Sequence, residues 1–289
     1  MTADRRSGPP TTTRYEPGSP LRHPRRFAAE VASSLALSWD LAFRLFQRDL
    51  RARYRQSALK YVWLVIPPLA MALTWILLNR GNVIDPGDIG ASYPAFVLTG
   101  SVLWQGFAES IASPIRQLQG STALLTKVSF PSESLLLAGA LDIVFQSVVR
   151  LVAIAPLLAL YGVGWSWTLL LVPVGLLAIL GFGWGLGLLL APFGLLYQDV
   201  ERTIVVVVAF WFLVSPVAYV QPADGALGTL HRFNPLTSLL STARDWMLGT
   251  RAVPGLGWLA LLVVDLLMIV CGFGLYRLAL PHLVDRMQS

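Results

Sequence analysis

The sequence predicts an all-α integral membrane protein. Six transmembrane helices follow an N-terminal amphipathic interfacial helix, and a re-entrant or interfacial helical loop precedes the last span. Three observations predict this. Of the 289 residues, 55% are hydrophobic and 13% charged, against roughly 25% charged in an ordinary soluble domain. The mean hydropathy is +0.62. Several apolar runs reach the roughly 20 residues that a helix needs to cross about 30 Å of hydrocarbon.

Residues 1–30, rich in Pro, Gly, Thr, Ser and Arg, bury too little apolar surface to offset ordering entropy and read as a disordered tail. No short apolar core follows the first charges, so they do not read as a signal peptide. Residues 31–289 form the membrane domain. Over 33–57, Leu35, Trp39, Phe43, Phe46, Leu50 and Tyr54 recur every three or four positions, with Asp40, Arg44, Arg48, Arg51 and Arg55 opposite and Arg53 on the apolar side. A basic, aromatic-rich amphipathic helix suits a membrane surface.

The spans follow at about 61–79, 93–112, 134–160, 167–196, 203–220 and 255–277. The first is bent or broken near Pro67 and Pro68, which a membrane helix tolerates when neighbours satisfy the freed carbonyls. No charge occurs from Leu151 to Gln198, and the break at YGVGWS (161–166) divides that run into two helices. The 221–254 loop holds LTSLLSTARDWML, too short to cross.

Charge orients the chain. Of the 22 Lys and Arg residues, 12 lie in the first 60 positions and most others flank apolar runs. That distribution suits anionic lipid and basic cytoplasmic loops, not nucleic acid, despite the net charge of +6. An even number of spans puts both termini on one side, and the basic excess places that side in the cytoplasm. Cys271 is the sole cysteine, so no internal disulfide forms; it reads as a small buried hydrophobe. Gly181, Gly183, Gly185 and Gly187 give the small-residue spacing that lets helices approach closely.

Four stretches together resemble the permease subunits of type-2 ABC exporters, particularly those for O-antigen, capsule and teichoic acid polysaccharides. They are RYRQSALKYVWLVIPPL, YPAFVLTGSVLWQGFAESI, LLTKVSFPSESLLLAGAL, and YQDVERTIVVVVAFWFLVSPVAY joined to RFNPLTSLLSTARDWMLG. Lys60 stands where that family usually has glycine, and Gln198-Asp199 where it commonly has Arg-Asp. The resemblance covers nearly everything after residue 33. It implies a homodimer that moves a polyprenyl-pyrophosphate-linked glycan out of the cytoplasm of a bacterium through its inner membrane. Two copies of an ABC nucleotide-binding subunit would supply the energy.

No Gly-Lys dipeptide occurs, so the chain lacks a phosphate-binding Walker A loop. It is expected not to be an enzyme by itself and to need no cofactor, with ATP and Mg on the partner. By the resemblance, the 113–133 loop holds the helix that couples to the ATPase, through Leu124, Leu125, Lys127, Val128, Phe130 and Pro131. An amphipathic segment there also suits lipid at the interface. The basic helix would line the substrate entrance, where Arg48, Arg51, Arg53 and Arg55 can pair bidentately with pyrophosphate; bulk anionic lipid would suit them equally. Aromatic rings offer flat faces to sugars, making Trp104, Phe107, Trp211, Phe212 and Tyr219 candidates for the substrate path, beside ordinary packing and lipid-belt roles.

Charges within spans are costly and usually paired. Counting helical rise from the span ends puts Arg150 and Asp265 at similar depth, an expected ion pair between the third and sixth spans; Glu109 and Asp142 fall nearer the cytoplasmic boundary. Three other functions remain open: export of teichoic acid, a drug or a small lipid by the same superfamily, a channel without an energy source, and a polyprenyl-phosphate transferase. The last would need a polar catalytic cluster or metal-binding carboxylates, and His23, His231 and His282 lie far apart in the sequence.

Overall fold

The computed structural model describes residues 24–55, 59, 61–83, 87, 89–121, 133–197, 199–220, 225–251 and 253–288. All regular structure among them is helical. We label the helices α1 (Pro24–Arg55), α2 (Val62–Arg80), α3 (Tyr93–Gly120), α4 (Glu133–Leu160), α5 (Val172–Leu196, entered through a 3₁₀ turn at Trp167–Leu171), α6 (Asp199–Leu213), α7 (Gly225–Phe233), α8 (Pro235–Leu248) and α9 (Leu256–Gln288). Among the described residues, four segments are long and apolar enough to cross a membrane: Val62–Arg80, Glu133–Leu160, Trp167–Leu196 and Leu256–Leu280.

α3 is the centre of the bundle. It packs on α2, α4, α5, α6 and α8, while α1 lies along α4 and α9 along α5. Its length of 28 residues exceeds what a crossing needs, but Thr99, Ser101, Gln105, Glu109, Ser110 and Ser113 make it more polar than its neighbours. That polarity is tolerable because most of α3 is buried in protein. Close helix approach depends on α5. A Cβ on Gly183 would meet Ser110 Oγ and the Phe107 carbonyl, and one on Gly187 would fall 2.3 Å from the Ile111 carbonyl, both on α3. Gly185 instead faces Met268 and Ile269 on α9. The expected glycine stripe is therefore two stripes, each serving a different neighbour.

Several boundaries differ from expectation. α1 opens at Pro24, inside the segment read as a tail, with a proline suited to the first helical position. Of the fifth span, expected at 203–220, only the first part is helical: α6 runs from Asp199 to Leu213. At 1.5 Å per residue its 15 residues reach about 22 Å, short of a full crossing, and 214–220 is irregular. α2 passes through Pro67 and Pro68 as one helix. α4 ends as expected before YGVGWS, with Gly162 at φ +83°. Cys271 is exposed, not buried. It belongs to a face of α9 where Leu259, Val263, Leu266, Leu267 and Val270 are also exposed, as a lipid-facing surface requires.

Candidate functional site

Three groups of side chains are candidates for function, two of them where the sequence placed it. The first is a junction of charges. Arg150, 2% exposed, donates through Nη2 to Glu109 Oε1 on α3 and through Nε to the Leu64 carbonyl on α2, 3.0 Å away. Leu64 lies four residues before Pro68, so its carbonyl is the one that the missing proline N–H leaves open. Arg150 thereby repairs the proline defect and neutralises Glu109 with one side chain. The expected Arg150–Asp265 pair is not formed. Arg150 faces α2 and α3, whereas Asp265 lies against Gly181 on α5; α3 and α5 separate them. Asp265 is buried and neither carboxyl oxygen has a hydrogen-bond partner.

Nearer the start of α4, Arg53 Nη2 lies 2.9 Å from Asp142 Oδ2, which also accepts from Gln146 Nε2 at 2.8 Å. This explains Arg53's departure from the basic face of α1: it reaches across to α4. Arg48 pairs with neighbouring Asp49, and Arg51 is exposed. The Arg55 side chain lies outside the described set. So do residues 122–132, and with them Leu124, Leu125, Lys127, Val128, Phe130 and Pro131. Just beyond that segment, Glu133 accepts from Arg277 Nε at 2.7 Å, tying the start of α4 to α9.

The second group is aromatic. Trp104 and Phe107 on α3 meet Phe212 and Trp211 on α6 with centroids 5.3 Å apart in each pair. Phe182 and Trp75 complete the cluster. Four of the five expected substrate-path aromatics therefore do assemble, but Trp104 and Phe107 are 3% and 0% exposed. Within this chain they are core, not wall, because α3 is enclosed on nearly every side. Trp211 and Phe212 are half-buried. Tyr219 sits apart, donating to the Leu213 carbonyl and contacting His231 Nε2 at 3.2 Å.

The third group went unrecognised in the sequence. Residues 214–220 carry carbonyls that no helix satisfies, and α8 supplies what they lack. Asn234 caps α8 by accepting from the Leu236 N–H, with Pro235 at the first helical position. The same amide accepts from Trp211 Nε1 and donates to the Val214 carbonyl and Ser215 Oγ. Arg244 donates to the carbonyls of Pro216, at 2.7 Å, and Val217, and its guanidinium lies 3.6 Å over the Phe96 ring. These bonds hold an irregular backbone inside a helical bundle. Val217 in turn presses on α3, where a Cβ at Gly100 would lie 2.3 Å from its carbonyl oxygen. The Ser-Pro and Asn-Pro stretches, 19 residues apart in sequence, are thus one clasp. Beside it His231 is buried, its pKa lowered by that burial, with Tyr219 and Thr237 on its two nitrogens.

A cleft of about 480 Å³ opens next to the clasp. Asp245 lies in its wall; burial raises that carboxyl's pKa, while the Thr250 hydroxyl and the Arg244 and Arg251 guanidiniums pull it down.

A family model for the membrane component described as "ABC-2 type transporter" matches residues 41–248, and the chain belongs to that family. It is accordingly a membrane transport subunit of the kind that works with an ATP-binding partner, rather than a catalytic chain. Similar curated proteins are named O-antigen export system permease protein RfbA. The one from Myxococcus xanthus is 26% identical over 209 residues, covering 70% of this chain and 78% of that protein. One from Klebsiella pneumoniae is 25% identical over 223 residues, covering 75% and 84%.

Proposed function

We propose that this chain is the membrane half of an exporter that carries a polyprenyl-pyrophosphate-linked glycan, O-antigen-like in character, from the cytoplasm to the outer face of a bacterial inner membrane. The observation that carries the reading is the alignment of most of the chain with relatives named for O-antigen export. Two copies would form the conduit, and two copies of a separate subunit would bind ATP and Mg and hydrolyse the nucleotide.

In this reading the four apolar segments are joined by α3 and by α6 with its clasp to make six passages, with both termini cytoplasmic. α1 lies at the cytoplasmic interface, and the exposed Arg48 and Arg51 meet lipid or substrate phosphate there. The segment with Leu124, Leu125, Lys127, Val128, Phe130 and Pro131 docks on the ATPase in a helix-in-groove manner, and the Glu133–Arg277 bridge ties its exit to the last helix. The buried Trp104 and Phe107 support Trp211 and Phe212, which are the better-placed aromatics for a path between two copies.

The test is deletion of the gene in its host, with lipid-linked glycan measured inside the cell and at its surface. Internal accumulation with surface loss is expected. Unchanged surface glycan in a strain without a redundant exporter would overturn the reading in favour of drug or small-lipid export.

A further inference from the structure

The cleft beside the clasp has the chemistry of a sugar site. It lies between the approach to α3 at Ile89–Ala91, the irregular stretch at Pro216 and Val220, and the last turn of α8 with the residues after it. Its volume of about 480 Å³ is in the roughly 300–1,000 Å³ range of small-molecule sites. Ile89, Val220 and Leu248 give it an apolar wall, and Ser241, Asp245 and Arg251 give it polar groups.

These groups match the two faces of a pyranose. A carboxylate accepts from hydroxyls and a guanidinium donates to them, while Ser241, whose own hydroxyl hydrogen goes to the Thr237 carbonyl, offers an acceptor; an apolar wall suits the C–H face of the ring. Charge narrows the class of sugar. Arg244 has both its η1 bonds and its Phe96 contact inside the clasp, so the cleft's remaining charges are Asp245 and Arg251, one of each sign. Such a pair does not select an anion.

We infer that this cleft binds a single neutral pyranose unit of the glycan, at the end of the bundle where α6 stops and α3 begins. The inference rests on the export reading above, in which that end faces outward. A subsite there would hold an emerging sugar against back-sliding while the next unit advances.

The test uses the full chain in lipid nanodiscs and saturation-transfer NMR with methyl glycosides of glucose, galactose, mannose, rhamnose and N-acetylglucosamine, plus methyl glucuronide. At least one neutral glycoside should show saturation transfer. Asp245→Asn and, separately, Arg251→Gln should each weaken it about tenfold, the loss expected for one hydrogen bond to a charged group. Arg251 is exposed, so its replacement leaves folding intact even if the Asp245 variant does not fold. Transfer from none of the neutral glycosides, transfer undiminished in Arg251→Gln, or binding of the glucuronide alone would each overturn the inference. The gene deletion separates the two readings. If surface glycan requires the gene and the glycosides do not bind, export stands and the subsite fails. If surface glycan does not require it, the export reading fails on its own.

Discussion

Pro68 and Arg150 should be energetically coupled. Arg150 Nε donates to the Leu64 carbonyl, which has no N–H of its own helix to accept from because residue 68 is proline. Replacing Arg150 with Met removes that donor and leaves Glu109 without its cation. Breaking a fully buried pair costs about 3–5 kcal/mol, an upper bound here because Glu109 is 28% exposed, and orphaning the carbonyl adds about 1–3 kcal/mol. Pro68→Ala restores an amide that can close the helix on Leu64 by itself. In the Pro68→Ala background, then, Arg150→Met should cost about 1–3 kcal/mol less than in the wild-type background. Pro67→Ala is the control. Its freed carbonyl belongs to Trp63, and it should add to Arg150→Met within about 0.5 kcal/mol. Unfolding in mixed micelles with increasing SDS, followed by tryptophan fluorescence, measures all six proteins. Additivity of Pro68→Ala with Arg150→Met would falsify the assignment of Arg150 as the partner of the proline-freed carbonyl.

Two further outcomes are expected. Gly100→Ala places a methyl 2.3 Å from the Val217 carbonyl oxygen. That oxygen cannot retreat without straining the Arg244 bonds, so overpacking should destabilise the chain by about 1–3 kcal/mol; Gly120→Ala, with no neighbour within 4 Å among the described residues, should be harmless in the same unfolding assay. His231 has its pKa lowered by burial. Between the folded value and the unfolded one of about 6.5, the unfolded chain binds more protons, so stability should be level above about pH 6.5 and fall as the pH drops below it. His231→Gln should flatten that dependence, and an unchanged slope in this variant would assign the acid sensitivity elsewhere.

The sequence was most informative where local chemistry alone decides. Two adjacent prolines in an apolar run announced carbonyls in need of donors, and YGVGWS announced a chain reversal. Depth counted along helices did not find the partner of Arg150. Rise per residue gives position along an axis, assumes that the helices start level, and says nothing about which helix lies alongside. The helix of the fifth span ends early for a different reason. Residues 214–220 are apolar, so hydropathy extends the span through them, but their backbone is held by Asn234 and Arg244 from a later helix. No window of neighbouring residues contains that information. Asn234 did carry a readable signal, a cap followed by proline, although its second role on Ser215 depends on the fold. Cys271 was misread because α9 is apolar all round, and composition does not distinguish a side turned to lipid from one turned to protein.

The exposed Cys271 makes the natural chain a spectroscopic reagent. A nitroxide attached there enters each molecule once, at a known height on the last helix, with no cysteine to remove beforehand. One spin per chain gives no dipolar signal within a single molecule. Any distance that emerges in pulsed electron resonance must therefore join two chains. Such an experiment tests the proposed pairing of two copies directly, and repeating it with and without nucleotide on a bound partner would show whether the labelled helices of such a pair move apart during transport.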